Sequence, residues 1–140
     1  MIVENNMKQY PLNLGLLILR LAFSVLMLFH GYNKIVTGVD GIEDNLIGKG
    51  LPGFIAYGVY VGEIIAPLMM IVGFRTRLAA LIFAFNMLVA ALLAHPSQIF
   101  SLTERGIYSL ETLALFLFGG LALFFTGGGK SAVSTKRWWD

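Results

Sequence analysis

The sequence predicts an all-α integral membrane protein, a bundle of four transmembrane helices, and three observations predict it. The 140-residue chain is 57% hydrophobic and only 13% charged, with a mean hydropathy of +0.78, which leaves too little polar material to clothe a soluble domain of this size. Four apolar runs, Leu12 to Phe29, Phe54 to Val72, Leu78 to Ala94 and Ile107 to Phe125, each approach the roughly 20 residues that cross a hydrocarbon layer. The runs are rich in Leu, Ala and Phe and do not alternate, whereas a membrane barrel needs at least about eight alternating strands. One domain is expected, with helices at about 12–32, 54–72, 77–95 and 107–126.

The first helix follows Lys8 and carries Arg20 inside its apolar run. Its length, that arginine and the lack of a small-residue cleavage site before His30 argue against a cleaved signal peptide. The segment from Tyr32 to Gly53 is glycine-rich and is expected to be the longest loop. In the second helix Pro67 has no N–H to give the carbonyl of Glu63, so a bend is expected beside that carboxylate. Gly58, Gly62 and Ala66 form a small-residue ridge suited to close approach of another helix. The turn Gly73-Phe74-Arg75-Thr76-Arg77 makes the second and third helices antiparallel neighbours. After the fourth helix, Gly127-Gly128-Gly129 reads as a stop, and Lys130, Lys136, Arg137, Trp138 and Trp139 as an interfacial anchor.

Orientation follows from the short flanking segments. One side carries Lys8, Arg75, Arg77, Lys130, Lys136 and Arg137; the other carries Lys34, Lys49 and Arg105 diluted by Asp40, Glu43, Asp44 and Glu104. Both termini are therefore expected in the cytoplasm, with the chain in a bacterial inner membrane. The absence of cysteine removes disulfides and thiolate sites from this chain. The basic residues form no aromatic-interleaved stripe, so no nucleic-acid partner is expected.

Ionisable groups inside apolar runs cost on the order of 3 kcal/mol each and usually face a bundle interior. Arg20, Glu63 and Glu111 are such groups, joined by the amide of Asn86. Counting from the helix ends places Arg20, Glu63 and Asn86 near the midplane and Glu111 roughly 6 Å deep. These four form the candidate buried polar site. Arg20, Ser24, Met27, Gly31 and Lys34 share one face of the first helix, which should look inward. With two acids for one arginine, the second carboxyl must be protonated, hydrated or shared with a histidine, so His30 and His95 are candidate proton relays. The bland alternative is an Arg20–Glu63 pair that only fixes helix register, with the histidines as interfacial residues. A haem or metal held by His30, His95 and Glu111 has no spacing motif behind it.

The same residues carry a family resemblance. Leu19-Arg20-Leu21-Ala22 leading to Phe29-His30-Gly31-Tyr32-Asn33-Lys34, then Gly62-Glu63-Ile64-Ile65-Ala66-Pro67-Leu68 running to Gly73-Phe74-Arg75-Thr76-Arg77, then Glu111 and the closing Thr126-Gly127-Gly128-Gly129, resemble the DoxX family of small bacterial membrane proteins. Where the family usually ends its last helix with Gly-Pro-Gly, this chain has three glycines. The resemblance implies a four-helix inner-membrane protein, named after a subunit associated with quinol oxidation.

The functional expectation is a redox-linked subunit of the lipid bilayer that holds a quinone or similar lipophile, working with partner redox subunits or as a homo-oligomer. Arg20, Glu63 and Glu111 would orient its polar head or pass protons, and Tyr57, Tyr60 and Phe29 would line the apolar part. A membrane scaffold and a small solute or proton transporter are the alternatives.

Overall fold

The computed structural model describes residues 2–134, 136 and 138–140, with side chains from Tyr10 onward. The expected contributions of Lys8 and Arg137 to the charge asymmetry lie outside the described side chains. Helix α1, Ile2–Thr37, extends beyond the expected span at both ends, so Lys34 stands on the helix and not in a loop. Pro11 falls inside it, at the point where the polar N-terminal stretch gives way to the apolar one.

The expected long loop is largely helical. Helix α2, Asp40–Gly48, places Asp40 and Glu43 in its first turn, where their charge complements the helix dipole. It buries Leu46 and the preceding Val39 against Ala56, with Ile42, Val59 and Leu93 packed alongside.

Helix α3, Gly53–Val72, changes winding along its length. It opens with a 3₁₀ segment, Gly53–Tyr57, passes through Gly58–Tyr60, widens to a π segment at Val61–Ile65 and recovers α geometry over Ala66–Val72. Within the π segment Ala66 N–H donates five residues back to the Val61 carbonyl. The widening falls where Pro67 leaves the Glu63 carbonyl without its α-helical donor, so the expected disturbance takes the form of a π-bulge.

The helix ends in a Schellman motif. Gly73 is left-handed at φ 78°, its N–H reaches the Met70 carbonyl at 3.2 Å, and Phe74 N–H reaches Met69 at 2.9 Å. Arg75, also left-handed at φ 46°, completes the reversal into α4, Thr76–Ala94. Beyond α4, residues 96–110 form a short 3₁₀ turn and a hairpin-like bridge between Leu102 and Tyr108.

Helix α5, Glu111–Thr126, is therefore shorter at its start than expected. Residues 107–110 belong to the hairpin, held by Thr103 N–H to Ile107 O, Ser109 N–H to Ser101 O and Tyr108 Oη–H to Ile99 O. Tyr10–Thr37, Gly53–Val72 and Thr76–Ala94 are long and apolar enough to cross a membrane, while α5 is apolar but has only 16 residues.

The helices pack around Met27, Met70, Phe83, Phe116 and Leu123, with Ala66, Ala79 and Ala80 allowing close approach. Large apolar side chains cover the outside: Ile18, Phe29, Phe85, Phe118 and Phe125 are all more than half exposed. In water such a surface would aggregate; against acyl chains it is the ordinary outer face of a membrane bundle. The last residues fold back on the end that holds the α3–α4 turn: Ser134 N–H donates to Gly73 O, Leu78 N–H to Trp139 O and Lys130 N–H to Asn13 Oδ1.

Candidate functional site

The bulge in α3 turns Glu63 toward α1. Lys34 Nζ donates to both carboxylate oxygens, at 2.8 Å to Oε1 and 2.7 Å to Oε2, with Glu63 6% exposed and Lys34 24%. This two-point contact is a charge-assisted pair in a poorly hydrated place. Two neighbours hold its geometry. Tyr60 Oη–H donates to the Lys34 carbonyl at 3.0 Å. Gly31 lets α1 lie directly on the bulge, since a Cβ there would stand 2.7 Å from the Glu63 carbonyl oxygen.

The pair forms part of the wall of a cavity of about 760 Å³, within the size range of small-molecule sites. Met27, His30 and Lys34 from α1, Glu63 from α3, Asn86 from α4 and His95 just past its end, Thr112 and Phe116 from α5, and Asn45 and Leu46 from α2 all line it. Most of the remaining lining is aliphatic. Asn86 packs on Gly62, and its Nδ2 is buried without a hydrogen-bond partner. His30 lies edge-on to Phe116, ring centroids 6.1 Å apart.

Glu63, Asn86, His30 and His95 thus share one cavity, but Arg20 and Glu111 are not among its lining residues. The alternative of an Arg20–Glu63 ion pair is not what forms, because Lys34 takes the carboxylate. Arg20 instead lies at the opposite end of the bundle, 2% exposed, donating to the carbonyls of Gly128 at 3.1 Å and Ser131 at 3.3 Å. Its guanidinium also lies against Gly73, where a Cβ would come within 2.5 Å of Nη1. The C-terminal ends of α3 and α5 therefore converge on it, and their partial negative charge takes the place of a carboxylate. Ser24 Oγ and Thr76 Oγ1 are buried nearby without partners.

Glu111 is exposed in the first turn of α5 and not buried in a span, a position that complements that helix's dipole. Tyr57, Tyr60 and Phe29 do not line the cavity; the aromatic lining comes from Phe85 and Phe116. Among the described residues no three His, Asp or Glu side chains gather as metal ligands would. The cavity offers instead an ammonium, a carboxylate, a free amide N–H and two imidazoles above an apolar floor, a set suited to the polar head of an organic molecule.

Lys34 stands on the predicted inward face of α1 but is not one of the four residues expected to form the buried polar site. Its available signal was that face itself, which runs from Arg20 through Gly31 to Lys34. Two members of the small-residue ridge of α3 serve packing inside the chain, Gly62 meeting Asn86 of α4 and Ala66 being fully buried, while Gly58 faces open space.

The DoxX family model matches residues 15–96. Over 131 residues the chain is 32% identical to "Inner membrane protein YqjF" of Escherichia coli (strain K12), covering 90% of this chain and 96% of that one. It is also 30% identical over 77 residues to "Putative oxidoreductase CatD" of Bacillus subtilis (strain 168), covering 55% of this chain and 57% of that one. No solved structure matches.

Proposed function

From the premise that this chain belongs to the DoxX family of membrane proteins, we propose that it is a redox-linked membrane subunit holding a quinone-type molecule between its helices. The observation that carries this reading is the placement of the Lys34–Glu63 pair and the free Asn86 amide on the wall of a mostly aliphatic cavity inside a membrane bundle. A quinone carries two electrons and two protons between its carbonyl and hydroxyl forms. Lys34 and Asn86 supply donors for a carbonyl oxygen, and Glu63 supplies an acceptor for a hydroxyl. His30 and His95 are groups through which protons can reach the cavity. Lys34, bonded to both oxygens of Glu63, keeps that carboxylate positioned.

Electrons would come from a partner redox subunit, and the oxidoreductase name of the Bacillus relative is in keeping with that role. In this reading both termini lie in the cytoplasm, and Arg75, Arg77, Lys130 and Lys136 at the end that holds the C-terminal segment support it. Asp40, Glu43, Asp44 and Glu104 lie on segments at the other end.

Purification in mild detergent followed by lipid extraction tests the proposal. Quinone is expected to co-purify with the wild-type chain and to be depleted in an inserted, folded Glu63→Gln variant. Equal quinone in both preparations would remove the proposed site.

A further inference from the structure

The cavity does not stop at Lys34 and Glu63. Ile55, Gly58 and Val61 of α3 and Phe85 of α4 line it too, and Ile55, Val61 and Phe85 are at the same time 42%, 41% and 64% exposed. Cavity wall and outer surface therefore meet along the α3–α4 seam. The two helices touch at Gly62, where a Cβ would lie 2.3 Å from Asn86 Cβ. One turn closer to α2 that contact has gone, for a Cβ on Gly58 would meet nothing within 4 Å. Phe85 and Val61, the chain neighbours of Asn86 and Gly62, both line the cavity and are both exposed. Because α3 and α4 are both long and apolar enough to cross a membrane, an opening between them faces acyl chains.

The end of the cavity nearest α2 is partly covered. Helix α2 covers that end of the cavity through Ile42, Asn45 and Leu46, with Leu46 and Val39 buried against Ala56. Next to it, Lys49 Nζ donates to the Leu93 carbonyl and ties the α2 segment to the end of α4.

We propose that the gap between α3 and α4 is a lateral portal, and that the ligand is a tailed amphiphile whose head lies at Lys34, Glu63 and Asn86 while its hydrocarbon chain leaves past Gly58, Val61 and Phe85 into the bilayer. The inference rests on the cavity being a quinone-type site and adds the ligand's class and its path. It assigns the unpartnered Asn86 Nδ2 to the head, one residue from the exposed Phe85 ring beside which the tail would pass. A compact, water-soluble substrate has no use for a slot of aliphatic and aromatic edges open to lipid.

Two substitutions plug the portal without touching the polar wall. Gly58→Leu places a side chain in open space on ordinary helical backbone, and Val61→Phe enlarges a side chain at the exposed rim. Binding is measured on the detergent-purified full chain with two probes, a ubiquinone ring lacking a side chain and decylubiquinone, each corrected for partition into micelles. Wild type is expected to prefer the decyl probe by about tenfold or more, and both variants to weaken decyl binding by about tenfold while holding the ring-only probe within about twofold. Unchanged decyl binding in both variants, or equal loss of both probes, overturns the portal while the head-group site stands. If wild type binds neither probe, the quinone reading falls and the portal with it.

Discussion

Lys34 of α1 and Glu63 of α3 share two contacts of 2.8 and 2.7 Å, and the π-bulge next to Pro67 is the local feature that aims the carboxylate at its partner. Each side chain depends on the other. Lys34→Met or Glu63→Gln alone leaves a charge without its counter-ion, which is expected to cost roughly 1 to 3 kcal/mol, between the exposed and fully buried limits. The double variant Lys34→Met/Glu63→Gln should recover much of that loss. Thermal unfolding of the four proteins in detergent checks it, and purely additive losses would mean that the pair is not coupled.

Gly31 is where α1 rests on the bulge. A Cβ there would stand 2.6 Å from Ile64 Cγ1 and 2.7 Å from the Glu63 carbonyl oxygen, so Gly31→Ala should destabilise the bundle by about 1 to 3 kcal/mol through overpacking. Gly58→Ala, into open space, should be close to neutral. Melting temperatures of the two variants measured together provide the comparison.

Arg20 bonds the segment that follows α5 through the Gly128 and Ser131 carbonyls. Arg20→Met is expected to release that segment, so limited trypsin digestion at Lys130 and Lys136 should run several-fold faster than in wild type. Arg20→Lys, which keeps the charge but loses the fork of donors, should fall between the two.

The chain has no cysteine, so single introduced cysteines report topology without background. Asp44→Cys should react with a membrane-impermeant maleimide from outside intact cells, and Lys130→Cys only after the membrane is opened. The reverse pattern would invert the proposed orientation.

The helices were legible because each apolar run is near the length of a span and is punctuated by polar or glycine residues, as at Gly73 and Gly127. Helix α2 was not, since nine residues bracketed by Gly38, Gly48 and Gly50 look like a loop until Val39, Leu46 and Ala56 are seen to bury one another. Inside the candidate site, the inward face of α1 was readable from the spacing of Arg20, Ser24, Met27, Gly31 and Lys34. The partner of Glu63 was not. Counting residues from the ends of apolar runs puts Arg20 and Glu63 at similar depth, whereas the register of α1 on α3 is set by Gly31 against the bulge, which brings Lys34 to the acid and leaves Arg20 at the far end. Glu111 was misplaced for a related reason, because hairpin hydrogen bonds at 101–109 delay the start of α5.

Equilibrium titration of the purified chain with decylubiquinone, wild type against Lys34→Met, addresses the site most directly. Saturable binding to wild type that weakens by about tenfold or more when the ammonium is removed is the expected result. Saturable binding of equal strength in both proteins, or none in either, would contradict a head-group site at Lys34 and Glu63.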